Sequence, residues 1–321
     1  MRRMDSVAAE QRIRPHVRET PLAHSRALSD ATGARVYLKL EHLQETGAFK
    51  LRGAANKLLS LPREEAARGL VTASSGNHAL AVATMAGKLG FPVEIFVSEQ
   101  LHPVKRSRIQ SLGARLRVVA GDPLQAELEA RREADDSRRP YISPYNDPTV
   151  IEGQGTLAVE VLRQLPSEAG ALGAVFVTTG GGGLIGGIGL YLKRASPATR
   201  IVGCWPENAP ALYECLRAGK VIDVPERPTY STSTAGGVEP GAITLDICRQ
   251  VIDHTVLVSE AEILAAARRV RRDDGQRLEG AAGVAVAAFL KTAADYAGQS
   301  VVLVLCGGNA DPAFADLVLQ E

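Results

Sequence analysis

Five short stretches of this chain hold residues whose types and spacing could do chemistry, and each lies beside an apolar run. The first is Thr46-Gly47-Ala48-Phe49-Lys50-Leu51-Arg52-Gly53. A lysine amine condenses with carbonyl compounds when it is partly desolvated, and Ala48, Phe49 and Leu51 surround Lys50 with apolar surface. Taken alone, the same stretch also suits an ordinary surface helix. The second is Ser74-Ser75-Gly76-Asn77-His78, whose hydroxyls and free N–H groups at a helix start suit an anion such as a carboxylate. Capping that helix needs one serine, so the full set exceeds what capping requires. The third is Gly180-Gly181-Gly182-Gly183, where consecutive glycines let backbone N–H groups close around a phosphate with a helix dipole pointing at it. The last two, Glu279-Gly280-Ala281-Ala282-Gly283 and Cys306-Gly307-Gly308-Asn309, say little singly: a solvated or capping carboxylate and a small buried strand-end residue.

These stretches need elements to position them. Alternating patterns predict strand Val36 to Leu40, helix Phe49 to Leu61 stopped by Pro62, strand Leu70 to Ala73, helix Ala79 to Leu89, strand Val93 to Val97, helix Val104 to Leu112 and strand Arg115 to Val119. After a stretch containing Pro144, Asp147 and Pro148 the pattern resumes with helix Thr156 to Leu165, strand Val175 to Thr178, helix Leu184 to Lys193 and strand Arg200 to Cys204. Helix Glu260 to Val270, a buried Ala-rich helix near Ala281 to Leu290 and strand Val301 to Leu305 follow. Strand–helix alternation implies parallel sheets joined by crossovers, hence an α/β fold with two open sheets. In such folds ligands bind beyond the carboxyl ends of the strands, where these loops fall.

With 45% apolar residues in 321, the chain can bury a large core and divide into two domains. Lysine and arginine number 37 against 36 acidic residues, so overall charge makes no case for nucleic acid or membrane partners. The basic runs Arg131-Arg132 and Arg268 to Arg272 read as solvated helix faces. Cys204, Cys215, Cys248 and Cys306 form neither a C-x-x-C pair nor a disulfide framework, which suits a reducing, cytoplasmic setting. No apolar run approaches the roughly 20 residues of a membrane span, and Met1 to Gln11 has no signal-peptide core.

In this order the five loops resemble those of the threonine/serine dehydratase and serine racemase family, the fold type II or tryptophan-synthase-β-like pyridoxal-phosphate enzymes, from about Ile13 to about Asp311. Pro144-Tyr145-Asn146-Asp147-Pro148 and Val150 to Thr156 are similar to that family's hinge between domains. The resemblance implies a large cofactor-binding domain of residues 1–62 and 147–321, a small substrate-binding domain of residues 66–146, and pyridoxal 5'-phosphate between them. By the same resemblance Lys50 holds the cofactor as a Schiff base and takes the Cα proton, Phe49 packs beside the ring, Asn77 bonds the ring hydroxyl, and Gly180, Gly181, Gly182 and Gly183 hold the phosphate. Glu279 belongs to the cofactor site, and Cys306 stands where the family usually has serine at the pyridine nitrogen. Ser74, Ser75, Asn77, His78 and Tyr145 bind the amino-acid substrate, with Ser75 a second catalytic group on the opposite cofactor face. The implied reaction takes water and then ammonia from a β-hydroxy amino acid such as L-threonine or L-serine, in a homodimer.

Departures from the family pattern sharpen these expectations. Ala48 replaces a common serine, Gly236 a common aspartate, and Trp205 and Ala211 stand where metal-dependent racemases carry acidic ligands, so no metal site is expected. No regulatory domain is expected after Glu321. Within the family the alternatives are serine racemase and dehydratases of hydroxyaspartate, phenylserine or hydroxyectoine-derived amino acids. From another class, Gly181, Gly183 and Gly186 match G-x-G-x-x-G with Glu207 about 20 residues on, as a nicotinamide-dependent oxidoreductase would have. A non-catalytic metabolite-binding module is a third reading, because a fold does not fix an activity.

Overall fold

The apolar run near the C-terminus becomes the inner part of the larger of two sheets. In the computed structural model, which describes residues 4–99, 103–121 and 123–320, the strands are β1 Leu22–His24, β2 Arg35–Lys39, β3 Leu70–Ala73, β4 Val93–Ser98, β5 Arg115–Val119, β6 Leu172–Thr178, β7 Arg200–Pro206, β8 His254–Val258 and β9 Ser300–Val304. One sheet runs β1-β2-β9-β6-β7-β8 and the other β3-β4-β5. Every pairing is parallel except that of β1 with β2. Crossover helices cover parallel strands on both faces, which is why β9 is buried throughout and apolar after Ser300. The expected α/β fold with two parallel sheets is therefore what forms.

The hydrophobic cores explain where Lys50 goes. In the larger sheet Phe176 of β6 meets Phe289 and Tyr296 edge-on, at ring separations of 5.4 and 5.1 Å. The smaller sheet packs Ile95 and Val97 against Ala79, Val82 and Ala83 of the helix Asn77–Leu89. Leu51, Ala54 and Leu58 of the helix Lys50–Ser60 join that second core, together with Ile13 and Val17. This helix follows β2 of the larger sheet yet buries its apolar face against the smaller one. Lys50, its first residue, therefore sits between the two sheets.

Several elements depart from the sequence reading. The helix expected from Thr156 begins at Pro148, with the Asp147 carboxylate accepting from the amides of Thr149 (2.7 Å) and Val150 (3.1 Å), and Pro148 in the first turn. Gly153 and Gly155, in the hinge-like stretch, are helical, and neighbours approach them too closely for a side chain. A Cβ on Gly153 would lie 2.7 Å from the Arg52 carbonyl oxygen, and one on Gly155 2.7 Å from that of Gly187. The hinge-like residues Val150 to Thr156 thus lie within a buried helix. A further helix, Pro123–Ser137, crosses the smaller sheet. Its Arg131 is no simple solvated residue: it bonds Glu239 at 2.6 Å and covers the Tyr141 ring at 4.4 Å.

Candidate active site

A cavity of about 260 Å³ opens where the loops at the carboxyl ends of β3, β6 and β9 converge. All the expected site residues line it: Phe49, Lys50, Ser74, Ser75, Asn77, His78, Tyr145, Gly180, Gly181, Gly182, Gly183, Glu279 and Cys306.

Backbone pairing fixes the lysine. The Phe49 amide donates to the Cys306 carbonyl at 3.1 Å, and the Gly308 amide donates to the Gly47 carbonyl at 2.9 Å, so the lysine turn is laced to the loop after β9. The Lys50 ammonium donates to the Pro144 carbonyl at 2.7 Å and lies 5.2 Å from the Phe49 ring centre. Burial pulls its pKa down from 10.5 to about 8, against the opposing pull of Glu127, Cys306 and Glu279. Such an amine is partly neutral near neutral pH, as a nucleophile or base must be.

The glycine loop follows β6 and leads into the helix Gly183–Ala195. The amides of Gly180, Gly181 and Gly182 bond no other described residue, and the first amides of a helix have no partner within it. Packing enforces glycine here. A Cβ on Gly181 would lie 2.5 Å from the Tyr145 ring, and Gly182 has φ +88° with Cys248 Sγ 2.8 Å from a Cβ. Gly181→Ala is therefore expected to overpack this contact and destabilise the fold by about 1–3 kcal/mol. Thermal unfolding checks it, and an unchanged midpoint would show that Tyr145 yields freely. Besides bracing the loop, Tyr145 accepts at its hydroxyl from the Glu239 amide at 2.8 Å.

Opposed to these free amides is a satisfied polar network. Asn77 Nδ2 donates to both Glu279 oxygens at 3.0 Å, Ser233 Oγ donates to Glu279 at 3.0 Å, and Asn309 Nδ2 donates to Asn77 Oδ1 at 2.8 Å. Burial raises the Glu279 pKa, while Asn77 and Ser233 hold it down. Burial also pushes the Cys306 thiol well above its usual range, so it is a neutral group. Ser233 and Asn309 were not singled out from sequence, although their loops were noted; a small polar side chain in a loop beside paired glycines was the available signal. Ser74 Oγ accepts from the Gly76 amide at 3.2 Å, and Ser75 is half-buried at the cavity. His78 donates from Nε2 to the Ile142 carbonyl at 3.0 Å, and burial with Lys50 nearby drops its pKa to about 3. It is a neutral imidazole and brings no positive charge to an anion.

Trp205 is wholly buried, its ring covering Gly203, and Ala211 opens a helix. Among the described residues no three His, Cys, Asp or Glu side chains are grouped to hold a metal ion. The strand–glycine loop–helix unit that suggested a dinucleotide site is present, but its loop faces a cavity it shares with Lys50 and the serine loop.

Residues 13–307 match the family described as pyridoxal-phosphate dependent enzyme. The chain is 39% identical over 315 residues to an L-threonine ammonia-lyase of Geobacter sulfurreducens, covering 98% of this chain and 77% of that one. Among solved structures it resembles the processed form of threonine deaminase isoform 2 from Solanum lycopersicum (TM-score 0.90, 30% identity, 98% of this chain and 86% of that one). Maize serine racemase is similar as well (TM-score 0.88, 28% identity, 97% and 94%).

Proposed function

The chain belongs to the pyridoxal-phosphate dependent enzyme family, and from that premise we propose that it is an ammonia-lyase acting on a β-hydroxy amino acid such as L-threonine or L-serine. Water and then ammonia leave, and a 2-oxo acid remains. The observation that carries this reading is Lys50, its amine drawn down to about 8, lining one cavity with a side-chain-free loop of four glycines.

The residues fit the cofactor. The loop's unpaired amides suit a phosphate, the depressed lysine suits an aldehyde, and the neutral Cys306 thiol suits a ring nitrogen left unprotonated. Pyridoxal phosphate, when bound, supplies an electron sink for the pair left at Cα. Lys50 would anchor it and, as the free amine, would take the Cα proton at Nζ. Phe49 would pack against the ring, and Asn77, fixed by Glu279 and Asn309, would bond the ring hydroxyl. Ser74, Ser75 and the amides at the start of the helix Asn77–Leu89 receive the substrate carboxylate; the neutral His78 shapes this loop and Tyr145 closes the wall. Spectra and product analysis test the reading together: the purified protein should carry a visible absorption that borohydride bleaches, and should release 2-oxobutyrate from L-threonine. A colourless protein, or one with bound nicotinamide, would end it.

Ser75 at the cavity also favours a second activity, racemisation, because inverting Cα needs an acid/base on each face whereas elimination needs Lys50 alone. If Ser75 serves only the carboxylate, Ser75→Ala should weaken L-substrate binding by about 0.5–1.5 kcal/mol, the worth of one neutral hydrogen bond. If it donates protons, the variant should lose L-to-D serine interconversion and keep most dehydration. Chiral analysis of serine separates the two, and absence of D-serine from the unaltered enzyme excludes the racemase.

No described helix is long and apolar enough to cross a membrane, and the four cysteines are free and buried. The free cysteines suit a reducing, cytoplasmic setting, and the homodimer rests on the family resemblance alone. The separate sheets support a division into residues 1–62 with 147–321 and residues 66–146, hinged before the helix Pro148–Gln164.

A further inference from the structure

One part of the cavity wall has no task in the reaction just described. Once the lysine, serine, glycine, Asn77–Glu279, Tyr145 and Cys306 groups are set aside, the lining includes Phe96, Leu124, Ala126 and Glu127. Glu127 stands out among them. It projects from the helix Pro123–Ser137, is 9% exposed, and its Oε1 has no hydrogen-bond partner. A buried carboxylate oxygen left without a partner is costly, so a protein that keeps one on a ligand cavity gains from a cation supplied by the ligand.

The surrounding charges do not supply that cation. The charges acting on Glu127 are Glu239, Arg131 and Lys50, with the neutral Tyr141 hydroxyl as a polar neighbour. Arg131 bonds Glu239 through Nη2 at 2.6 Å while its Nε has no partner, and Tyr145 has its hydroxyl on the Glu239 amide. Lys105, also at the cavity, pairs with Asp311 at 2.7 Å. That leaves Lys50, which the cofactor and the Cα proton occupy during turnover. Two carboxylates then share one guanidinium, and the wall is short of positive charge. Burial and Glu239 push Glu127 up to about 7, as a carboxylate short of positive charge should be.

We propose that Glu127 selects the substrate side chain, favouring a β-hydroxy α-amino acid that carries a protonated amine beyond the hydroxyl-bearing carbon and rejecting one that carries a second carboxylate. The β-hydroxy class rests on the ammonia-lyase reading; the charge preference rests on the cavity wall.

Calorimetric titration of the cofactor-loaded enzyme with 2,4-diaminobutyrate, 2-aminobutyrate and aspartate tests the charge preference without dehydration, since none of the three has a β-hydroxyl to lose. The diamino acid should bind at least about 10-fold more tightly than 2-aminobutyrate, with aspartate weakest. In the isosteric Glu127→Gln variant that ratio should fall to within about 3-fold, and Glu127→Asp should keep the preference. Equal binding of the first two ligands by the unaltered enzyme, or a ratio unchanged in Glu127→Gln, would overturn the proposal. Oxo-acid release from L-threonine and from 3-hydroxy-2,4-diaminobutyrate is scored separately. If neither reacts while the binding order holds, the ammonia-lyase reading fails and the selection by Glu127 stands.

Discussion

Lys50→Ala is expected to abolish both turnover and the visible absorption of the bound cofactor, a loss of at least about 10⁴-fold, because in the proposed reaction one side chain serves as anchor and base. No other described amine is placed to substitute. Lys105 is paired with Asp311, and Lys39, on β2 of the larger sheet, is buried against Glu160. The same argument gives a pH dependence. With its pKa lowered from 10.5 to about 8, Lys50 is roughly half neutral at pH 8, where an ordinary lysine is roughly 0.3% neutral. Only the neutral amine attacks a carbonyl, so cofactor uptake by the apoenzyme should accelerate as pH rises and level off above about 8. Stopped-flow absorbance after mixing the apoenzyme with pyridoxal phosphate reads this midpoint. A rate still climbing at pH 10, or oxo-acid formation by Lys50→Ala, would show that another amine does the chemistry.

The lysine and the glycine loop were legible because each signal is local. Apolar runs ended by turn residues placed the strands Leu70–Ala73 and Arg115–Val119 without error. The helix Pro123–Ser137 escaped because its inner face is made of Ala126, Ala130 and Ala134, four residues apart and fully or almost fully buried, amid charged neighbours. Alanine spacing is a weaker signal than a stripe of leucine, and Glu127 was lost with the helix. The Asn77 network was illegible for a different reason. Its partners Ser233 and Asn309 lie 156 and 232 residues away, and only the juxtaposition of the two sheets brings them together. The helix Pro148–Gln164 starts eight residues before the expected Thr156, and its glycines Gly153 and Gly155 are ones demanded by close packing, which in sequence look like those that interrupt a helix.

Arg52→Ala is expected to be the most damaging single change to stability, by about 3–5 kcal/mol. Arg52 lies two residues after the lysine and is wholly buried. Its guanidinium donates to both oxygens of Glu41, at 2.7 and 3.0 Å, and to both oxygens of Glu160, at 2.8 and 2.7 Å. Lys39 adds a bond to Glu160 at 2.7 Å, and Thr20 Oγ1 donates to Glu41 at 2.7 Å. Such a network is held less by its net energy than by the penalty for breaking it: without Arg52, two buried carboxylates share one buried lysine and the partly exposed Arg14. Burial alone would raise the Glu160 pKa, yet Arg52 and Lys39 hold it at about 2, below the ordinary 4.5. A depressed carboxylate stabilises the fold above its unfolded pKa, and this contribution fades as pH falls from about 4.5 to about 2. In Arg52→Ala the Glu160 pKa should rise, so that contribution shrinks at neutral pH and acid unfolding begins at higher pH. Adding Glu41→Gln should restore part of the loss, because it removes one of the stranded charges. Urea unfolding from pH 4 to 8 measures all three effects; a change below about 1 kcal/mol at pH 7 would mean that water or a shifted side chain replaces the guanidinium.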